Sequence, residues 1–261
     1  MISGFAYLFF LIVLAITPSL IWLNYYLKKD HRPEPQHKLI ITFVMGILIT
    51  IFVGFLELVI NKTNFYKTLD NETRIIVFLL LFPLLEEIGK FLATFLSTRK
   101  NPFFKDETTD PIIYAIVAGL GFAAAENLKV CFSVLQENFI IIDWNNIFSF
   151  TISSPVINTL IITIFIRFLT AVFLHANSSA IFGYFWAVGR ILKKNKKVFI
   201  SLIILGIIMA SILHSCYNYF ILKVNENINY IWYIIILLTI SNYTMSRLIK
   251  QVQSYQKIYG I

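Results

Sequence analysis

Seven long apolar runs dominate the chain, and short polar segments separate them. The runs cover residues 3–27, 38–60, 75–98, 111–135, 164–190, 197–222 and 228–249. Each run is long enough to cross a bilayer, which takes about 20 apolar residues in a helix. The runs are continuously apolar and do not alternate, so they indicate helices and not the strands of a membrane barrel. The pattern predicts an all-α polytopic transmembrane bundle of about seven helices.

Composition supports a membrane protein with a single domain. Of the 261 residues, 58% are hydrophobic and only 14% are charged, against about a quarter charged in soluble domains. The runs leave no room for a separate soluble module, so we expect one domain over residues 1–261, with its polar motifs within 75–222. The net charge of +8 does not predict a nucleic acid partner, because the basic residues are spread over short loops.

The distribution of lysine and arginine predicts the orientation. Fifteen of these residues lie in the segments 28–38, 99–105 and 190–197 and in the C-terminal tail, against four on the opposite side. Because cytoplasmic loops are enriched in basic residues, the N-terminus is expected outside and the C-terminus in the cytoplasm. The stretch 152–190 could hold two spans, but a second crossing would move the most basic loop outside. We therefore expect one span, preceded by an interfacial or re-entrant piece from about Ile152 to Ile164.

The middle of the third run contains three charged residues, Glu86, Glu87 and Lys90. A charge at the bilayer centre costs about 2.5–3.5 kcal/mol on insertion scales. Glu86 and Lys90 are four residues apart, so they can pair along one face of the helix. Glu87 points about 100° away from Glu86. An internal ion pair therefore does not account for all three residues.

Three of the later runs carry further polar residues. Glu126 follows a stretch of glycine and alanine, and such small residues let a neighbouring helix approach closely. His175 lies in the fifth run. His214 and Asn218 lie in the sixth, four residues apart, so both can face the same cavity.

Other charged residues in the runs have ordinary explanations. Lys129 and Arg167 lie toward the outer ends of their helices and can extend their charged groups to the interface. Glu57 lies near the outer end of the second run and is predicted to be a rim residue.

Depth in the bilayer links the remaining polar residues. Successive helices alternate in direction and rise by about 1.5 Å per residue. On that scale Glu86, Glu126, His175 and His214 all lie between mid-bilayer and the outer leaflet. Unrelated structural groups need not share a depth, so these four residues are predicted to share a pocket.

Four segments resemble, in order and spacing, the motifs of the PrsW family: Glu86-Glu87-x-x-Lys90, Phe122-x-x-x-Glu126, the span with His175, and His214-x-x-x-Asn218. That family comprises bacterial membrane proteases that cut an anti-sigma factor at its first, extracytoplasmic site. It is related to the CAAX-processing and bacteriocin-immunity membrane proteases. Glu126 stands where the CAAX-type pattern has histidine, as expected of the PrsW branch.

The resemblance implies a function and a location. It implies an intramembrane endopeptidase in the bacterial cytoplasmic membrane, whose partners are the lipid bilayer and a membrane protein or peptide substrate cut near the extracytoplasmic side. An anti-sigma factor is a candidate substrate. The catalytic residues that it predicts, with Lys90 in support, are Glu86, Glu87, Glu126, His175, His214 and Asn218.

The residue types suit hydrolysis of a peptide bond. Glu86 is expected to act as general base on a water that His175 helps to hold. His214 and Asn218 would donate hydrogen bonds to the oxyanion, as the resemblance implies. Glu87 is expected to play an ancillary positioning role.

The sequence leaves the cofactor open. Two carboxylates and two histidines could bind zinc, and the candidates are Glu86, Glu126, His175 and His214. Against a metal, the sequence has no HExxH pair on one helix.

Two other classes of function also fit buried acids and histidines. One is a membrane transporter or channel in which these groups relay protons. We find neither an internal repeat nor matched Gly/Pro-broken helices, which that class favours. The other is a non-catalytic membrane scaffold whose polar groups only pack helices.

Overall fold

The computed structural model describes residues 4–28, 32–101, 104, 107–138, 140, 150–192 and 195–259, without the side chains of 256–259. Over these residues the chain forms nine helices and no strand. They are α1 (Gly4–Leu27), α2 (Gln36–Lys62), α3 (Asn64–Thr68), α4 (Asn71–Thr98), α5 (Asp110–Glu137), α6 (Ser154–Leu169), α7 (Ala171–Ile191), α8 (Lys196–Val224) and α9 (Tyr230–Tyr259). Lys29, Lys105, Lys193, Lys194 and most of the loop 136–154, which entered the prediction of orientation, lie outside the described residues.

Five helical segments are long and apolar enough to cross a membrane. They are α1, α2, α5, α8 and the segment 154–191, which contains α6 and α7. Helices α4 and α9, of 28 and 30 residues, occupy the other two predicted spans. Helix α4 carries three charged side chains in its middle, and α9 is more polar toward its end. The prediction of an all-α polytopic membrane bundle is confirmed.

The segment 154–191 bends at Thr170 and not near Ile164, where the sequence analysis placed the boundary. Thr170 has φ −121° and ψ −80°, and its hydroxyl donates to the Ile166 carbonyl at 2.8 Å. It also accepts a hydrogen bond at 3.1 Å from the hydroxyl of Tyr217 on α8. The bend therefore depends on a partner that is distant in sequence.

The two helices of this segment run in one direction along α5. Arg167 contacts Asn127, the His175 carbonyl lies against Gly119, and Gly183 lies against Ile112. Residues later in this segment thus contact residues closer to the start of α5. The chain does not turn back, as a single crossing requires.

Helix α5 is the centre of the bundle and contacts α1, α2, α4, α6 and α7. Small residues allow these approaches, since an added Cβ at Gly121 would collide with the Phe43 carbonyl and one at Gly46 with the Ala118 carbonyl. The close contact between α2 and α5 lies on the N-terminal side of Glu126 in α5. It holds that side chain largely inside the bundle, with 22% of it exposed.

Candidate active site

The structure brings five of the six predicted catalytic residues to one cavity of about 190 Å³. Glu86 comes from α4, Glu126 from α5, His175 from α7, and His214 and Asn218 from α8. The other lining residues are Glu57, Phe78, Phe82, Lys129, Arg167, Ala171 and Tyr217. This volume holds about six waters at ~30 Å³ each. The cavity is therefore large enough for the water that hydrolysis needs.

The sixth predicted residue, Glu87, lies behind the cavity in a fully buried ion pair. Lys90 Nζ donates to Glu87 Oε1 at 2.6 Å, and His214 Nδ1 lies 2.9 Å from the same oxygen. Lys90 Nζ also lies 5.0 Å from the centroid of the Phe122 ring, a favourable cation–π position.

Lys90 therefore pairs with Glu87 and not with Glu86, the partner that the spacing allowed. Side chains three and four residues apart are both neighbours on a helix surface, so Lys90 can reach either glutamate. Glu87 also faces His214 of α8, and this shared contact places its carboxylate next to the lysine.

Glu87 determines which nitrogen of His214 faces the cavity. A carboxylate only accepts hydrogen bonds, so His214 Nδ1 carries the proton and Nε2 points toward Glu86, with 3.7 Å between Nε2 and Glu86 Oε2. In the neutral ring Nε2 has a lone pair, which suits a metal ligand. Donation to an oxyanion from Nε2 requires the doubly protonated ring.

A second carboxylate, Glu126, holds His175 in a similar way. His175 Nε2 lies 2.7 Å from Glu126 Oε2, and Arg167 NH2 lies 3.4 Å from that same oxygen. Arg167 Nε donates to Asn127 Oδ1 at 2.7 Å, and the Asn127 amide donates to the Ala15 carbonyl at 3.0 Å. The network joins α1, α5, α6 and α7 behind one cavity wall.

Arg167 consequently does not extend to the interface as predicted. Its side chain is only 21% exposed, because it precedes the bend at Thr170 and turns inward to α5. Lys129 behaves as predicted, with 69% of its side chain exposed, and it lies 3.8 Å from Glu57 at the rim.

Glu86 lines the cavity with a buried carboxylate oxygen, Oε2, that has no hydrogen-bond partner among the described residues. His175 Nδ1 likewise has no partner among them. A separation of 3.7 Å from His214 Nε2 is too long for a hydrogen bond. Both orphaned atoms point to a species that would lie between these side chains.

A metal ion fits this arrangement. Glu86, His175 and His214 each offer a ligand atom, and the three atoms lie within 4.8 Å of one another. Tetrahedral zinc with nitrogen and oxygen ligands at about 2.0–2.2 Å separates those ligands by about 3.4 Å. The fourth candidate ligand, Glu126, is not part of the group and is occupied by His175 and Arg167.

Arg167 and Tyr217 also line the cavity, although neither is among the predicted site residues. Tyr217 could have been found, because it lies three residues after His214 and such residues share a helix face. Arg167 carries no comparable signal, since its partner Glu126 is 41 residues away in sequence.

A polytopic helical membrane protein that arranges buried histidines and carboxylates around a small polar cavity has the site that a membrane-embedded hydrolase requires. Comparison with known proteins makes this class specific. A model of the PrsW family intramembrane metalloproteases matches residues 34–242, and the chain belongs to that family.

Individual relatives agree with the family assignment. The protease PrsW of Bacillus subtilis (strain 168) is 24% identical over 229 residues, which cover 87% of this chain and 88% of the relative. The protease PrsW of Clostridioides difficile (strain 630) is 33% identical over 124 residues, covering 47% and 51%. That of Geobacillus kaustophilus (strain HTA426) is 29% identical over 122 residues, covering 46% and 52%. No solved structure matches the chain.

These matches confirm the predicted family and the predicted activity. The chain is an intramembrane protease and a multi-pass membrane protein, which implies a membrane protein substrate in a lipid environment. The alternative of a transporter or channel is not favoured.

Proposed function

We propose that Glu86, His175 and His214 form the catalytic centre of this protease and that the cavity beside them is where the peptide bond is cut. The free Oε2 of Glu86, 3.7 Å from His214 Nε2, carries the proposal. The gap between the Glu86 carboxylate and the His214 ring is too wide for a hydrogen bond, so it leaves room for a reacting species. Glu87 also has an unpartnered oxygen, Oε2, but its Oε1 is paired with Lys90 at 2.6 Å, and Glu126 is paired with His175 and Arg167.

The balance of charge supports the same centre. Glu87 is compensated by Lys90, and Glu126 is compensated by Arg167. The carboxylate of Glu86 has no such cation within 4.0 Å among the described residues apart from the His214 ring. Because an unpaired charge in the bilayer interior is costly, Glu86 is the group that gains most from a proton or a metal ion.

Glu86, His175 and His214 would hold the metal ion that the family description implies, through a Glu86 oxygen, His175 Nδ1 and His214 Nε2. A zinc ion in such a site polarises a carbonyl and lowers the pKa of a bound water to about 7. Glu87 keeps the proton of His214 on Nδ1, and Glu126 fixes the ring of His175. Carboxylates behind ligating histidines commonly raise ligand basicity and fix orientation.

The remaining steps fall to groups that line the cavity. One oxygen of Glu86 would face the metal ion, and its other oxygen takes the proton of the attacking water. The side-chain amide of Asn218 donates to the oxyanion that develops on the scissile carbonyl. The phenyl rings of Phe78 and Phe82 keep bulk lipid and water from the cavity wall.

The location of cleavage follows from depth and orientation. With the N-terminus outside, the cavity lies in the extracytoplasmic half of the bilayer, so the substrate is cut near that side. A single-span protein of the bacterial cytoplasmic membrane, such as an anti-sigma factor, is the substrate class that we propose. The whole chain acts as one domain, with its motif core at 75–222.

Cleavage of a single-span substrate by the purified protein in liposomes tests the proposal. Wild type is compared with Glu86→Gln, His175→Ala and a matched control, Glu72→Gln, which changes an exposed glutamate of the same helix α4. Loss of one acid–base group typically costs about 10²–10⁴ in rate, so the first two variants should lose cleavage while the control retains it. Full activity of Glu86→Gln with an intact fold would show that the centre is elsewhere.

A chelator tests the metal separately. Metal content is measured alongside activity, before chelation and after zinc is added back. Loss of bound metal with loss of cleavage, restored by zinc, supports the three-residue ligand set. Cleavage that survives complete removal of metal, yet is lost in Glu86→Gln, would leave Glu86 as a general base without a metal.

A further inference from the structure

A second cavity of about 460 Å³ adjoins the catalytic cavity and lies between α2 and α5. Its walls are mainly apolar and include Ile51, Gly54, Phe55 and Leu58 of α2 with Phe122 and Ala125 of α5. Its volume is within the range of about 300–1,000 Å³ typical of ligand pockets. The catalytic cavity alone, at about 190 Å³, is smaller than that range.

The groove exists because α2 and α5 touch at one end and separate at the other. At Gly46 an added Cβ would collide with the Ala118 carbonyl, whereas at Gly54, two turns further on, it would meet nothing within 4 Å. Gly54 is therefore not needed for helix packing. The space beside it widens toward the side predicted to be extracytoplasmic.

The groove is continuous with the catalytic cavity. Glu57, Glu126 and Lys129 line both. Glu57 Oε2 and Lys129 Nζ lie 3.8 Å apart across α2 and α5, and the lysine side chain is 69% exposed. The Glu57 side chain is only 14% exposed, but an ion pair that long with one exposed end contributes little to stability, so the lysine can move away and leave the passage open.

We propose that this groove binds the apolar transmembrane segment of the substrate and guides its scissile bond past Glu57 and Lys129 into the catalytic cavity. The inference rests on the proposed function. It assigns a binding site to the substrate class, whereas the proposed function assigns the chemistry.

The chemistry of the groove favours a peptide over a lipid chain. Asn61 lines it together with the Glu57–Lys129 pair, and Thr50, whose hydroxyl donates to the Gly46 carbonyl at 2.8 Å, can still accept a hydrogen bond. Lipid tails have no hydrogen-bonding groups, but a transmembrane helix that unwinds for cleavage must satisfy freed N–H and C=O groups. The apolar wall at Ile51, 66% exposed, would receive the side chains of the same segment.

Gly54→Trp tests the groove by filling it. The open space beside Gly54 accepts a side chain without collision, so the variant should fold. Cleavage of a single-span substrate at low concentration should fall at least tenfold. The matched control is Leu48→Trp, which adds the same ring on α2 at a position 53% exposed and outside the groove, and it should cleave like wild type.

Photocrosslinking supplies a readout that does not depend on activity. A photoreactive residue replaces Phe55 in the groove, or Leu48 outside it, in the Glu86→Gln background. Substrate adducts are expected at position 55 and not at position 48. Equal adducts at both positions, or adducts at position 55 with lipid alone, would overturn the inference.

The two assays separate the inference from the proposed function. If wild type cleaves and Gly54→Trp cleaves equally well, the groove is not the substrate site and the catalytic proposal stands. If wild type cleaves nothing while position 55 still captures substrate, the groove inference stands and the catalytic proposal is wrong.

Discussion

Replacing Lys90 by methionine should destabilise the protein far more than the same change at Lys223. Each lysine pairs with a glutamate three residues away, at 2.6 Å for Lys90 with Glu87 and 2.7 Å for Lys223 with Glu226. The side chains of the first pair are fully buried, whereas those of the second are 30% and 65% exposed. The two pairs therefore differ mainly in burial.

The size of the effect follows from what remains after the change. Lys90→Met leaves the Glu87 carboxylate buried without its cation, and breaking a buried pair in this way typically costs about 3–5 kcal/mol. The lost contact between Lys90 and the Phe122 ring adds to that penalty. Lys223→Met leaves a carboxylate that water can solvate, so its effect should be small.

A double variant tests the cause. Lys90→Met with Glu87→Gln removes both charges, so it should recover most of the free energy of unfolding that Lys90→Met loses. Unfolding by sodium dodecyl sulfate in mixed micelles, followed by circular dichroism, measures all four proteins at one pH. If Lys90→Met is no less stable than Lys223→Met, or the double variant is no better than the single one, Glu87 is not a charged partner of Lys90.

Three further predictions concern the surroundings of the site. Because Arg167 orients the Glu126 carboxylate, Arg167→Met should lower kcat at unchanged KM in cleavage assays. Arg167→Lys should keep part of the lost kcat. A rise in KM as large as the fall in kcat would contradict a positioning role. Gly121→Ala should cost about 1–3 kcal/mol in the unfolding assay through overpacking, whereas Gly54→Ala, which meets open space, should be nearly neutral. The hydrogen bond from the Thr73 backbone N–H lowers the pKa of the Asp70 carboxyl. The ionised Asp70 therefore stabilises the fold fully above the ordinary aspartate pKa of about 3.9, and this contribution is lost as pH falls through the lower folded-state pKa. The stability advantage of wild type over Asp70→Asn should therefore shrink below about pH 4. A stability difference that does not change with pH would contradict the role of Asp70 as the N-terminal cap of α4.

The sequence predicted the bundle and the grouping of the site residues for a simple physical reason. Apolar runs of spanning length mark the helices, and a fixed rise per residue converts position into depth. That conversion alone places Glu86, Glu126, His175 and His214 at one level in the bilayer. The structure brings all four to one cavity.

The sequence could not predict which of these groups pair. Lys90 can reach glutamates three or four residues back, and the choice depends on His214 of α8, 127 residues from Glu87. The turn of Arg167 toward α5 depends likewise on Asn127, and the bend that follows it on the hydroxyl of Tyr217. These are contacts between helices, which periodicity within one helix does not contain.

Glu86 and Glu87 are adjacent in sequence, but replacing each by glutamine should have opposite effects on the free energy of unfolding. Their side chains diverge by about 100° around α4. Glu87 Oε1 therefore meets Lys90 and His214, whereas Glu86 faces the cavity and its nearest basic partner is the His214 ring at 3.7 Å. Glu87→Gln leaves Lys90 buried without its counter-charge, which should cost about 3–5 kcal/mol.

Glu86→Gln removes an unpaired carboxylate from the bilayer interior, so it should leave the free energy of unfolding unchanged or raise it. Both variants should lose cleavage, Glu86→Gln with the fold intact and Glu87→Gln through loss of the fold and of the orientation of His214. Unfolding measured in the presence of a chelator avoids any contribution of bound metal to the comparison. Equal destabilisation by the two variants would mean that Glu86 is as firmly paired as Glu87, and the assignment of Glu86 as the reactive carboxylate would then be wrong.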